Sequence, residues 1–546
     1  MLNRVLNSQT NSITGAAILL GASAFGSQIL GIIRDRLLAG TFGAGQELDV
    51  YFASFRIPDF VYAILITGGI SAAFLPVFSE YFSKNKEEAW RLVNSVLNVF
   101  FILLILIAGF LALFTPSLLE LITPGFSFSQ KAITAELTRI IFLGSIIFGV
   151  SGIFAGILQY FNKFLAYALA PILYNLGIII GIIFFVPVFG IKGLAYGVVF
   201  GSLLHFAIQL PAVFQSGYRP KPIFSLKNPG LIKIFKLMAP RTFGQISNHI
   251  NLLAITAIGS TLTAGSISVF SLSNNLQSFP AGLVGVPYAL AVFPSFSKAF
   301  ARSDKQKFIS DFSSTLRKVI FLIIPSIILI FLLRAQIVRL VLGTGQFGWA
   351  DTRLTAASLG VFAFGIFAAS LIPLLVRAFF SFQDTKTPVI IGMISIAINI
   401  ISSLYFVWIL SFSNSFQALI VNLLKLQGLN GISVIGLPLA LSLSGTFQLL
   451  LLLFFLKRRI REIEFRGIAG SLKKILIASV LAGASAYFTI YLVAQFLNLQ
   501  TFLGVFAQAL SAFCIGAAVY GFVSYSLGLT EASLIYFSFL KKIKIM

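Results

Sequence analysis

The sequence predicts an all-α polytopic membrane protein of about fourteen transmembrane helices. Three observations carry this. Hydrophobic residues make up 58% of the 546 residues and charged residues only 10%. Apolar runs of roughly 20 residues, the length that crosses about 30 Å of hydrocarbon, recur from end to end. Lys and Arg are shared unequally between alternate loops, as in chains oriented by their cytoplasmic charge. No stretch is long and polar enough for a separate soluble domain. The spans fall near 14–33, 50–81, 92–114, 133–158, 165–187, 193–215, 231–259, 266–296, 318–333, 354–381, 388–411, 431–456, 472–496 and 501–527.

The first span follows Arg4 and contains Ala22-Ser23-Ala24, which together imitate a secretory leader. The apolar pattern continues through Ile33 without a break, so it is read as a retained first helix. The second span carries Arg56 and Asp59, with Asp49 at its edge. Pro58 predicts a kink, and Thr67-Gly68-Gly69 a weakened, hinge-like stretch. The 59 phenylalanines of the chain read as lipid-facing bulk. The seventh span is interrupted by Arg241, Gln245, Asn248 and His249. The eighth opens with Asn274, Asn275 and Gln277 before Pro280. The last two spans follow Lys457-Arg-Arg-Ile-Arg461, the clearest boundary in the chain. The lone cysteine, Cys514, sits in an apolar run, so no intrachain disulfide forms.

The net charge of +23 invites a nucleic-acid reading. Its placement argues for membrane orientation instead. Most of the 39 Lys and Arg fall in one set of alternate loops, with Arg4 and the tail lysines Lys541, Lys542 and Lys544 on the same side. That side is predicted to be the cytoplasm, which puts both termini there and requires an even number of spans. Some affinity for anionic lipid heads follows, and no nucleic-acid partner is expected.

Two segments match at a fixed offset. Ala73-Phe-Leu-Pro76-Val-Phe78-Ser79 resembles Ala291-Val-Phe-Pro294-Ser-Phe296-Ser297, and weaker echoes pair Leu121–Phe126 with Leu340–Phe347 and Pro171 with Pro388. Two pseudo-symmetric six-helix lobes are therefore expected, residues 1–220 and 221–457. Two further helices at 458–533 and a basic cytoplasmic tail at 534–546 follow. An even number of helices per lobe makes the repeat parallel, and two-half folds of this kind bind cargo between the halves.

A charge at membrane depth costs a few kcal/mol or more, so Arg34, Asp35, Asp49, Arg56 and Arg241 need a reason to be there. The usual reason is a wet cavity that handles a polar cargo. On the first helix Ser23, Ser27, Gly31 and Arg34 share a face; small residues there also permit close helix packing. Arg34-Asp35-Arg36 has the alternative of a solvated helix end, and Arg56 with Asp59 that of a local i, i+3 pair. On the seventh helix Arg241, Gln245, Asn248 and His249 share a face, as a cavity lining or as interhelical hydrogen-bonding groups. Catalytic signatures are absent. Gly-Lys never occurs, which excludes a phosphate loop, and His205 and His249 lack metal-pair spacing. No metal site and no cofactor are expected.

The motifs Ser27-Gln-Ile-Leu-Gly-Ile-Ile-Arg34-Asp35, Asp49-Val-Tyr-Phe-Ala-Ser-Phe-Arg56-Ile-Pro58 and Ala73-Phe-Leu-Pro76 resemble the start of the MurJ (MviN) lipid II flippases, within the multidrug/oligosaccharidyl-lipid/polysaccharide exporter superfamily. The likeness continues through Thr123-Pro-Gly-Phe126, Phe279-Pro-Ala-Gly282 and Phe380-Ser-Phe-Gln-Asp384-Thr-Lys-Thr-Pro388, over roughly residues 10–460. It implies fourteen helices, two lobes around a cationic cavity, and a groove on the last two helices for a lipid tail. It also implies substrate-binding roles for Arg34, Asp35 and Asp49. The chain departs from the family pattern at Gln28, Tyr62 and Asn274-Asn275, where many members carry arginine or Asp-Arg. Arg56 and Arg241 are candidates to supply the missing charge. Gln28, Gln245, Asn248, Asn274 and Asn275 remain hydrogen-bonding candidates for the same site.

The expected function is outward movement of an undecaprenyl-pyrophosphate-linked peptidoglycan precursor, lipid II, by alternating access in a bacterial cytoplasmic membrane. The expected partners are that polyprenyl-pyrophosphate glycolipid and membrane lipids, with cell-wall synthesis proteins left open. The membrane potential or a coupled ion is left open as a driving force, with Asp49 and Asp384 as acidic candidates. Three other readings stand beside it: an exporter of another polyprenyl-linked oligosaccharide, a membrane glycosyltransferase or polymerase, and a non-transporting scaffold.

Overall fold

A computed structural model describes the backbone of residues 13–462 and 465–533, and the side chains of these except at 13–14, 16–17, 67–72, 239–248 and 465–466. The basic tail 534–546 and Arg4 lie outside the described residues. Every regular element among the described residues is helical. Eleven helices there are long and apolar enough to cross a membrane, and the chain is a multi-pass membrane protein. The other three expected spans, near 14–33, 50–81 and 231–259, fall on helices that include undescribed side chains.

The chain divides into two compact units, Met1–Ser268 and Val269–Met546. The first begins with α1 (Ile13–Phe42), 30 residues long and so about 45 Å at 1.5 Å per residue. It ends where Gly43 takes a positive φ of 63° and its N–H returns to the Ala39 carbonyl. Two short helices follow, α2 (Gln46–Ser54) and α3 (Arg56–Tyr62). Their break at Phe55 follows from Pro58, which has no N–H for the Ser54 carbonyl one turn back. The Thr138 hydroxyl takes that carbonyl instead, at 3.1 Å. A π-helical stretch, Ala63–Ile70, then leads into α4 (Ser71–Lys84). The widened turns cover Thr67-Gly68-Gly69, the stretch read as weak.

Helix α5 (Lys86–Ile122) starts on an Asn85 cap that accepts from the Glu87 and Glu88 amides, with both acids beside the positive end of the dipole. Helix α6 (Phe128–Tyr160) opens with a reciprocal Ser127–Gln130 capping box. Helix α7 (Phe164–Ile180) passes through a π turn into α8 (Val186–Phe189), and α9 (Lys192–Ala207) packs back on α7. That seam is a backbone contact: a Cβ at Gly177 would lie 2.2 Å from the Gly201 Cα, and one at Gly181 2.4 Å from the Gly197 Cα. Small residues let membrane helices approach this closely. After α10 (Leu210–Gln215) comes α11 (Pro229–Ser260), which packs on the π stretch, α4 and α5 of the same unit.

The second unit continues α12 (Ser266–Pro280) through a π turn at Ala281–Gly285 into α13 (Val286–Ala301). It then holds α14 (Lys305–Val341), α15 (Trp349–Ser381), α16 (Lys386–Ile409), α17 (Ser415–Leu424) and α18 (Gly436–Arg459). The chain closes with α19 (Phe465–Ala494) and α20 (Phe502–Ser526), which pair with each other and lean on α14. The Tyr520 hydroxyl donates to the Phe321 carbonyl at 2.6 Å across that seam.

The internal repeat has a counterpart in element lengths. Helices α5 and α14 are both 37 residues, and α6 and α15 are both 33. Each unit also has a π-helical stretch in the helix that precedes the 37-residue one. Phenylalanine is not only lipid-facing bulk. Phe74, Phe78 and Phe100 in the first unit and Phe296, Phe312 and Phe379 in the second are fully buried. Phe78 sits 5.4 Å from Phe74 in a stack and 5.0 Å from Tyr160 edge to face. Such rings contribute large apolar areas and a further ~0.5–1.5 kcal/mol per pair.

Candidate functional site

Arg34 is not at a frayed helix end. Helix α1 runs two more turns to Phe42 and buries Leu38 and Ala39 completely. The Arg34 Nε and Nη2 donate to Oδ1 of Asp35 at 3.0 and 2.7 Å. Its Nη1 donates to the Asn175 side-chain carbonyl of α7 at 3.1 Å. Asn175 in turn donates to the Ser27 hydroxyl at 3.2 Å, one face earlier on α1, and to the Pro171 carbonyl. Asp35 and Asn175 are buried while the Arg34 side chain keeps 22% of its surface exposed. The cluster therefore holds a cation in one orientation, neutralised by a neighbour, with its side chain partly exposed. An anion arriving there meets a pre-oriented guanidinium, the group suited to bidentate contact with phosphate.

Asn175 escaped the sequence reading. The available signal was a lone amide in an otherwise apolar helix, four residues after Pro171. Two tyrosines, the buried Tyr51 on α2 and the partly buried Tyr174 on α7, lie within electrostatic reach of both Arg34 and Asp59. Tyr62, a departure from the family pattern, packs edge-on against Phe148 at 5.8 Å, and Phe148 packs on Tyr174 at 4.7 Å. An aromatic wall thus stands at a position where many family members carry arginine. Gln28 is partly buried, with its side-chain carbonyl among the buried atoms that accept nothing from the protein.

Arg56 donates its Nε–H to the Thr256 hydroxyl of α11 at 2.7 Å, and that hydroxyl donates in turn to the Leu252 carbonyl. Asp49 occupies a third setting. Its Oδ2 accepts the Gly265 amide at 2.7 Å, and its Oδ1 accepts the Ser268 amide at 2.7 Å and the Ser268 hydroxyl at 2.6 Å. These are donors at the start of α12, so a carboxylate from α2 caps a distant helix where the dipole is positive. Gly265 is required there. Its φ is +90°, and a Cβ would meet the Ala44 carbonyl oxygen at 1.9 Å.

The side chains of Arg241, Gln245 and Asn248 lie outside the described residues. His249 beside them is half-buried. In the second unit, Gln277 donates to the Asn274 carbonyl at 3.0 Å, and Asn275 is exposed one position on. Arg377 lies over the Phe293 ring, 5.7 Å from its centroid, a cation–π contact. Asp384, in the loop before α16, accepts the Thr387 amide and hydroxyl at 3.0 and 2.8 Å and pairs with Arg459 at 2.8 Å. Burial pushes that carboxyl up, but the Thr387 hydrogen bonds and the Arg459 charge outweigh it and hold it below the usual carboxylate range. Among the described residues no group of three or more His, Cys, Asp or Glu could hold a metal ion.

The family model of lipid II flippase MurJ matches residues 38–507. The chain belongs to that family. It is 31% identical over 380 residues to a probable lipid II flippase MurJ of Buchnera aphidicola subsp. Acyrthosiphon pisum, covering 68% of this chain and 74% of the relative. A probable lipid II flippase MurJ of Haemophilus influenzae is 28% identical over 535 residues, 93% of this chain and 99% of that one. Among solved structures, a lipid II flippase MurJ in an inward closed conformation superposes with a TM-score of 0.74 at 26% identity, over 96% of this chain and 100% of the other. An inward-facing multidrug resistance MATE transporter of the MOP superfamily shares the fold, with a TM-score of 0.66 at 14% identity over 80% of this chain and 95% of that one. Family members are membrane transporters rather than enzymes, which removes the glycosyltransferase reading.

Proposed function

We propose that this chain carries lipid II, the undecaprenyl-pyrophosphate-linked peptidoglycan precursor, from the inner to the outer leaflet of a bacterial inner membrane. The observation that supports this most directly is the Arg34–Asp35–Asn175 cluster in a member of the MurJ family. The pyrophosphate displaces part of Arg34's pairing to Asp35 and takes the guanidinium bidentately, while Asn175 keeps the group aimed. Arg56 and Arg241 add positive charge. Gln28, Gln245, Asn248, Asn274 and Asn275 offer neutral donors to the head. Asp49 contributes by fixing the start of α12.

The working division is an N-lobe at 1–220, a C-lobe at 221–457 and a lipid-tail groove at 458–533. Both termini lie in the cytoplasm. Alternating exposure of the site to the two leaflets moves the head while the tail stays in lipid. No nucleotide is needed, because an inside-negative potential favours outward movement of anionic charge by about 2.3 kcal/mol per charge per 100 mV.

The test is depletion of the resident flippase in a bacterium that expresses this chain. Restored lipid II accessibility at the outer leaflet is the expected outcome. Unchanged accessibility with a correctly inserted protein removes the assignment. A second reading, export of another polyprenyl-linked oligosaccharide, is favoured by the neutral residues Gln28, Tyr62, Asn274 and Asn275. It predicts rescue of a glycan-export defect but not of lipid II depletion. Association with cell-wall synthesis proteins is a further proposal, checked by cross-linking in cells.

A further inference from the structure

A cavity of about 590 Å³ lies in the first unit between α3, α5 and α11, away from the Arg34 cluster. Its wall is wholly apolar, with Phe60 and Leu65 on one side, Leu111 and Leu118 on another, and Leu253 and Ala257 on the third. The size is within the roughly 300–1,000 Å³ of small-molecule pockets. Apolar cavities of this kind exclude water, and an empty one forfeits dispersion contacts along its whole lining. The cavity is continuous with an exposed apolar surface. Leu121 lines it and is 77% exposed, and Phe110 and Phe114 share its face of α5 at 59% and 48% exposure. On α11, Ile250 lines it and is 41% exposed. Helix α5 carries a window of mean hydropathy 2.9, long and apolar enough to cross a membrane, which suits an exposed apolar face to hydrocarbon.

We infer that this cavity is a binding site for one acyl chain of a bilayer phospholipid, held between α3, α5 and α11. The occupant is a bulk phospholipid because bilayer lipids bathe the mouth at a concentration that no carrier lipid reaches, and occupancy follows mass action. The seated chain braces α3 against α11, next to the Arg56–Thr256 hydrogen bond. The inference does not depend on which cargo the protein moves.

The test is native mass spectrometry of the full chain, released from nanodiscs of phosphatidylethanolamine and phosphatidylglycerol. The expected result is a retained adduct of phospholipid mass on the wild type. Ala254→Trp, which fills the cavity, lowers adduct occupancy about tenfold. Ala257→Leu narrows the same cavity with a smaller insertion and also lowers it, which covers the case in which the larger side chain misfolds. Circular dichroism checks that each variant is folded. Three results overturn the inference: no adduct on the wild type, equal occupancy in a folded filling variant, or an adduct whose mass is that of a polyprenyl carrier.

Discussion

At the scale of single residues, what matters is whether a charge in an apolar setting is held by a partner or left accessible. Asp49 is held completely, 3% exposed and accepting three hydrogen bonds at the start of α12. Asp49→Ala strips a helix N-terminus of its cap, and we expect about 0.5–2 kcal/mol lower stability, with Asp49→Asn in between. Thermal unfolding of the detergent-solubilised protein measures this. Arg34 is held through all three guanidinium nitrogens yet keeps 22% of its side-chain surface exposed. Asn175→Leu leaves an Nη1 donor and the Ser27 hydroxyl without their partner, and about 1–3 kcal/mol is lost. Arg34→Lys retains the charge but not the fork, so transport falls more than stability does. Asp49 was legible in the sequence as a charge needing a reason, but not as a helix cap. Its donors lie more than two hundred residues away, at Gly265 and Ser268, and no local spacing points to them.

At the scale of elements, hydropathy reads spans well because the bilayer sets one length, and it reads boundaries poorly. The first span, expected at 14–33, is a helix reaching Phe42, its last turns burying Asp35, Leu38 and Ala39. The Pro58 kink was legible, and its position one turn upstream follows from the missing N–H. Thr138→Val leaves the Ser54 carbonyl unmet, and we expect a loss of about 1–3 kcal/mol with the helix break unchanged. The π-helical stretches were not legible beyond the weak Thr67-Gly68-Gly69 signal. The α7–α9 seam gives the sharpest element-scale expectation. Gly177→Val drives a side chain into the Gly201 backbone and costs more than Gly31→Val, where nothing lies within 4 Å. Comparing expression and melting temperature of the two variants checks it. The Asp384–Arg459 contact staples the loop before α16 to the end of α18. Its carboxyl titrates lower in the folded protein than unfolded, so its contribution is full above the unfolded value and is lost as pH falls through the folded one. Asp384→Asn should flatten the acid limb of the stability profile.

At the scale of the whole molecule, the sequence carries the repeat, and matched helix lengths in the two units echo it. The asymmetry of Lys and Arg between loops predicts that a reporter fused after Ser533 stays on the cytoplasmic side, and that one fused in the loop between α5 and α6 is exported. Reporter activity at both sites checks the orientation. Collapsing the membrane potential should slow transport without unfolding the protein, since the passenger is anionic. The most direct measurement is outer-leaflet lipid II accessibility in flippase-depleted cells that carry either wild-type protein or Arg34→Ala at equal membrane levels. Restoration by the wild type and none by Arg34→Ala is the expected pair. Equal restoration by both would contradict a pyrophosphate contact at Arg34.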